Sequence, residues 1–139
     1  AMKTVKTYRT NLLERATTDV EVGRLLTRKA RAEEKFGTPE GVRKYKGQAV
    51  AAYQGLLMSV DPSNVEIAPV IEDAYHECLP MMVEIKVWQD VVDDCKAYLQ
   101  AFPNGKYAVD VRNLKNQAEL ELSVGGGAKN PDPAAGSNK

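Results

Sequence analysis

Residues 97–114, AYLQAFPNGKYAVDVRNL, constrain the fold more than any other stretch of the chain. Apolar positions at helical spacing run up to Phe102. Pro103-Asn104-Gly105 then stops the helix, because proline cannot continue it and Asn-Gly supplies a turn. The pattern restarts on Tyr107-Ala108. Such a joint links two consecutive helical hairpins, and hairpins in series form a solenoid. A solenoid of helix pairs offers an extended binding surface, so the joint points to protein interaction and not to catalysis.

The rest of the chain reads in the same way. Val5, Tyr8 and Leu12 have helical spacing, and Thr17-Thr18-Asp19 interrupts them. Thr18 followed by Glu21 has the form of a capping box, which predicts a helix start there. One long helix bent at this point is the alternative. Val22, Leu25, Leu26, Ala30 and Phe36 are the apolar anchors of the next segment. Gly37-Thr38-Pro39-Glu40 predicts a sharp boundary: Gly ends one helix, Thr caps the next, Pro takes its first position and Glu favours its positive N-terminus. Val42, Tyr45, Ala49, Tyr53, Leu56 and Val60 then form a one-face stripe over residues 39–60. Ser63 and Glu66 offer a capping box for a fourth helix, with Ile67, Val70, Ile71, Ala74, Cys78, Leu79, Met82 and Ile85 as its apolar positions. Pro69 marks its first turn, and Pro80 predicts a kink or an early end. A fifth helix over residues 87–102 buries Trp88, Val91, Val92, Cys95, Leu99 and Phe102. A sixth over residues 106–122 buries Tyr107, Val111, Leu114, Ala118 and Leu122. No run alternates as a strand does. Pro62 and Pro103 lie 41 residues apart, an interval that fits one hairpin with its turns.

The 139 residues suffice for one small domain with a core. Residues 1–122 read as the helical domain and residues 123–139, with no apolar periodicity from Gly125 onward, as a flexible tail. Ala1-Met2 reads as a remnant ahead of a fragment. No window approaches the roughly 18 apolar residues of a membrane span. The formal net charge is zero, which argues against a dedicated nucleic-acid binder. It is unevenly spread, at +6 over residues 1–60 and −6 over residues 61–139. That asymmetry fits two solvated faces, or it aligns copies head to tail.

Residues 102–114, FPNGKYAVDVRNL, resemble the YPNSxYAxxAxxxL joint of tetratricopeptide-like repeats, in the long-helix version of bacterial envelope proteins. IAPVIEDAYHECL (residues 67–79) is similar to the first helix of that repeat and VWQDVVDDCKAYLQAFP (residues 87–103) to its second. The resemblance covers residues 61–122; the first 60 match less well. The 41-residue interval exceeds the usual ~34 of these repeats. Val91 stands where Ala is expected and Cys95 where Phe is common. The resemblance implies an all-α fold of antiparallel helical hairpins, a short tetratricopeptide-like solenoid of five or six helices. It also implies a protein or peptide partner held on the concave face, and a periplasmic or membrane-anchored envelope protein, with the cytoplasm as the alternative. Membrane contact then comes only through an anchor outside this sequence.

Chemistry is sparse. The single histidine, His76, has Glu72, Asp73 and Glu77 around it, and Asp73-x-x-His76 imitates half of a di-metal carboxylate site. No second His completes such a site, so a solvated or salt-bridged face is expected and no metal or cofactor is assigned. Asp90, Asp93 and Asp94 lack the spacing of a calcium loop. If helices four and five turn near Lys86-Val87, Cys78 and Cys95 lie at one level and form a candidate thiol pair. A disulfide needs Cα atoms within about 7 Å, closer than the ~8–10 Å between helix axes, so two buried free thiols are expected. The basic run from Arg24 to Lys35, with Leu25, Leu26 and Phe36, suits an ordinary packed helix better than a membrane surface. No Gly-rich phosphate loop and no Ser–His–Asp constellation is present. The chain therefore reads as a non-enzymatic interaction or scaffolding module; a bundle that mediates homo-oligomerisation is the alternative. In stacked hairpins the first helix of each pair meets the ligand, which names Glu72, Asp73, His76, Arg112, Lys115 and Asn116 as candidate partner contacts. The basic residues Arg24, Arg28 and Arg31 are the next surface in line.

Overall fold

A computed structural model describes the backbone of residues 2–125 and the side chains from residue 11 onward. Five α-helices follow one another: α1 (Met2–Phe36), α2 (Pro39–Ser59), α3 (Ala68–Glu84), α4 (Trp88–Ala101) and α5 (Ala108–Gly125). No strand occurs among the described residues, so the protein is all-α. The chain divides into two compact units between Met81 and Met82, inside α3.

The first unit is built on the α1–α2 hairpin. Its turn follows the sequence closely. Gly37 N–H bonds the Glu33 carbonyl at 2.9 Å. Thr38 is the N-cap of α2, extended at φ −118° and ψ 156°, and its hydroxyl accepts from Gly41 N–H. Pro39 occupies the first helical position, where its missing N–H has no role. Glu33 reaches across the turn and accepts from Thr38 N–H at 3.1 Å, so both helices share one cap.

The expected break at Thr17-Thr18-Asp19 does not occur; α1 runs through it. Ala16 and Val20 explain why, since both are buried one turn apart. Ala16, Val20, Gly23, Thr27 and Ala30 form an inner stripe of small residues at steps of 4, 3, 4 and 3. Interrupting the helix at Thr18 would swing half of that stripe off the core, a larger penalty than two helical threonines at about 0.5 kcal/mol each. Small residues let α2 approach closely, and a Cβ at Gly23 would lie 2.6 Å from the Tyr53 ring. A Lys46–Glu34 ion pair at 3.1 Å nearer the turn fixes the antiparallel register.

Val22, Leu25 and Phe36, expected as core anchors, are exposed instead. They lie on the opposite side of α1 from the inner stripe. In α2 the expected stripe holds: Ala49, Tyr53 and Leu56 are buried.

The α2–α3 connection forms without the expected Ser63–Glu66 capping box. The Asp61 carboxylate accepts from both Ser63 N–H and Ser63 hydroxyl, at 2.9 and 2.8 Å. The Asn64 side-chain carbonyl accepts from Glu66 N–H at 3.0 Å. Asp and Asn make these two-residue turns more readily than Ser, because their oxygens reach the backbone without strain. α3 then buries Ile71, Ala74, Cys78 and Leu79. Pro80 does not end it; the helix continues to Glu84.

In the second unit, the end of α3 is a Schellman turn. Val87 N–H bonds the Met82 carbonyl, Lys86 N–H bonds the Val83 carbonyl, and Lys86 sits at φ 60°. α4 and α5 pack as a hairpin around Trp88, Val91, Val92, Cys95, Tyr98, Ala108, Val111 and Ala118. Tyr98, fully buried, lies outside the expected stripe. Its phenol oxygen accepts from Tyr107 N–H at 3.0 Å, and its ring lies 5.2 Å from that of Phe102. Tyr98 thus closes the joint at Pro103-Asn104-Gly105. α5 extends to Gly125, three residues past the expected end; the rest of the expected tail lies outside the described residues.

Candidate functional site

The candidate partner contacts fall into two groups. Glu72, Asp73 and His76 sit on α3, with His76 exposed and the two acids half-buried. Arg112, Lys115 and Asn116 sit on α5 at spacings of three and four, which places them on one flank. Arg112 donates to the Pro103 carbonyl at 3.2 Å, so it braces the turn before α5. Lys115 pairs with Glu119 at 3.2 Å. Asn116 is exposed beside Val109, Asn113 and Leu120.

Arg24 and Arg31 are engaged within the chain. Arg31 pairs with Glu34 at 3.1 Å. Arg24 makes a two-pronged pair with Glu77, Nε to Oε1 at 2.9 Å and an η-nitrogen to Oε2 at 2.6 Å. It also reaches Glu21 at 3.1 Å. Tyr53 O–H donates to the same Glu77 Oε1 at 2.8 Å. One carboxylate on α3 is therefore gripped by a guanidinium from α1 and a phenol from α2. Burial, reinforced by the neighbouring Glu77 carboxylate, pushes the Tyr53 phenol above its ordinary range. Glu77, through its hydrogen bonds, holds the Arg24 guanidinium still more firmly protonated. This network pins three helices together, and the geometry assigns it no reaction. No sequence signal points to it, because Tyr53 and Arg24 lie 24 and 53 residues from Glu77.

Cys78 and Cys95 are both buried and form no disulfide, one in each unit. Burial pushes the Cys95 thiol up to about 12, with the Asp94 carboxylate adding to the effect. A thiol so disposed is a poor nucleophile at neutral pH. On α4, Asp93 accepts from Gln89 at 3.1 Å and faces solvent. No group of three His, Cys, Asp or Glu among the described residues is placed to hold a metal ion. No described helix is long and apolar enough to cross a membrane.

The feature that the sequence reading did not anticipate is a pair of outward apolar stripes. On α1, Val22, Leu25 and Phe36 are exposed, Phe36 to 88%. On α5, Val109, Leu120 and Val124 are exposed, Val124 to 77%. Both helices also bury an inner stripe, so each is apolar on two sides. Fractional exposure of single apolar residues is ordinary, but their alignment along one helix face is not. Comparison with family models, with curated proteins and with solved structures found no match.

Proposed function

We propose that this chain is a non-enzymatic protein-interaction or scaffolding module. The observation that supports the reading best is the second apolar stripe on α1 and on α5. A helix that has already buried one side keeps an outward apolar face at a cost in solubility, unless another chain covers it. The resemblance of residues 61–122 to tetratricopeptide-like repeats supports the same class and favours an envelope-associated protein. Arg112 and Asn116 lie on the same exposed side of α5 as Val109, Leu120 and Val124, so directional donors and apolar side chains share one face, as an interface requires.

The test is quantitative capture from the source cell with three baits: wild type, Val109→Ser/Leu120→Ser/Val124→Ser, and Arg112→Ala/Asn116→Ala. All substituted positions are exposed, so helicity by circular dichroism should match wild type. Loss of the same specific protein from both variants supports the module and places its face on α5. A wild-type bait that enriches nothing over a folded control protein refutes the reading. Self-association is the second reading, favoured by the pattern of charges beside the α1 stripe.

A further inference from the structure

The outward face of α1 carries more order than exposure alone. Thr18, Val22, Leu25, Lys29, Ala32 and Phe36 follow steps of 4, 3, 4, 3 and 4, and every one is exposed. That is the seam of an antiparallel or parallel helix pair, in which positions a and d alternate. One flank of the seam holds Glu14, Glu21, Arg28 and Lys35, seven residues apart and all exposed. Its first half is acidic and its second half basic. Glu21 also bonds Arg24 along the helix, which leaves it more than half exposed and in place for a second cation.

We infer that α1 pairs with α1 of a second copy of this chain, antiparallel, through this seam. The inference deepens the second reading, self-association, and names its surface. In an antiparallel pair, equivalent flanks face each other. The register that sets Val22 against Leu25 of the second copy, and Leu25 against Val22, also sets Glu21 against Arg28 and Glu14 against Lys35. Two-fold symmetry doubles each contact, so four ion pairs flank the seam. A parallel pair instead sets Glu14 against Asp19, a like-charge contact, and Arg28 against Glu33, so its repulsion and attraction cancel where every antiparallel flank contact attracts. Phe36 of the second copy arrives at Asn11, next to a cavity of about 450 Å³ bordered by Asn11, Glu14, Arg15, Thr18 and Asp19. The overlap from residue 11 to residue 36 is roughly 38 Å of helix. The inner stripe faces away, toward α2, so the α1–α2 hairpin stays intact on pairing. α5 carries no comparable pattern, since Asp110 and Glu121 on one flank are both acidic. Its stripe therefore specifies no orientation for a second copy.

The experiment combines sedimentation with a zero-length carbodiimide cross-linker on the full chain. Glu14 and Lys35 lie roughly 31 Å apart along one helix, so no single copy can join them. A Glu14–Lys35 cross-link therefore reports a second copy in antiparallel orientation. We expect that cross-link, and a concentration-dependent dimer that weakens as salt is raised. Arg28→Glu should weaken the dimer about tenfold by placing two acids together on each side. Glu21→Arg with Arg28→Glu should restore it, because the exchanged charges still meet their opposites. A monomer at every accessible concentration overturns the inference, as does a dimer indifferent to Arg28→Glu and lacking the cross-link. A monomer that sediments with anionic vesicles through Arg28 and Lys35 also overturns it, in favour of a membrane surface. None of these failures touches capture of another protein through α5, so the module reading stands or falls separately.

Discussion

Gly23→Ala is the sharpest perturbation of the core because two opposed effects of known size meet at one atom. Replacing a helical glycine by alanine gains about 1 kcal/mol when the site is open. At Gly23 the added Cβ would lie 2.6, 2.7 and 2.8 Å from three atoms of the Tyr53 ring. That ring is buried and tied through its hydroxyl to Glu77, so it has little freedom to retreat. Overpacking of this kind costs about 1–3 kcal/mol. The net expectation is a loss of about 0–2 kcal/mol. Gly47 and Gly55, on α2, are internal references, since nothing lies within 4 Å of a Cβ built there. Gly47→Ala should stabilise by about 0.5–1 kcal/mol. Urea unfolding followed by circular dichroism gives the difference, and hydrogen exchange of α1 and α2 amides reads the first unit by itself. In a Tyr53→Ala background, where the clash is gone, Gly23→Ala should gain stability like Gly47→Ala. If Gly23→Ala stabilises the wild-type chain as much as Gly47→Ala does, the close packing of α1 on α2 is misread.

Tyr53→Phe removes one hydrogen bond to a charged carboxylate and should destabilise by about 1–2 kcal/mol in the same urea assay. Lys86→Gly relieves a left-handed residue in the Schellman turn and should stabilise by about 1 kcal/mol; a loss of stability would show that the turn has another conformation. Cys95 keeps its proton to about pH 12 when folded but releases it near 9.0 when unfolded. Its contribution is complete below pH 9 and is lost as pH rises toward 12, so stability should fall over that window more steeply in wild type than in Cys95→Ala. Native Cys95 should also resist alkylation at pH 8 and react once urea unfolds the chain.

Local chemistry explains which parts of this structure were legible in the sequence. Gly37-Thr38-Pro39 and Pro103-Asn104-Gly105 are signals whose meaning depends on neighbouring backbone atoms alone, and both turns stand where they were expected. The inward stripes of α2, α4 and α5 follow from spacing for the same reason, although Leu99, Phe102, Leu114 and Leu122, expected in the core, are only half-buried. At Thr17-Thr18-Asp19 the alternative of one long helix prevails over the break, because burial of Ala16 and Val20, set by a distant helix, outweighs a local capping preference. On α1 the hydrophobic residues were legible but their side was not. A helix with two apolar stripes gives one merged pattern, and only packing tells that Ala30 faces α2 while Phe36 faces water. The Arg24–Glu77–Tyr53 network lay beyond sequence reading altogether, since any of several acids on α3 has the right chemistry. Among the candidate partner contacts, Arg112 proved to brace a turn, a role set by the position of the Pro103 carbonyl.

The central claim is that the outward apolar faces are covered when the protein works. Hydroxyl-radical footprinting, done on dilute purified protein and again inside the source cell, tests it directly. Phe36 and Met58 are nearly equally exposed, to 88% and 83%, but only Phe36 lies on the α1 seam. In the cell, oxidation of Phe36, Leu25 and Leu120 should fall several-fold relative to Met58. A Phe36-to-Met58 labelling ratio that is the same in dilute protein and in the cell would show that the stripes face water in the working protein, and would contradict the claim.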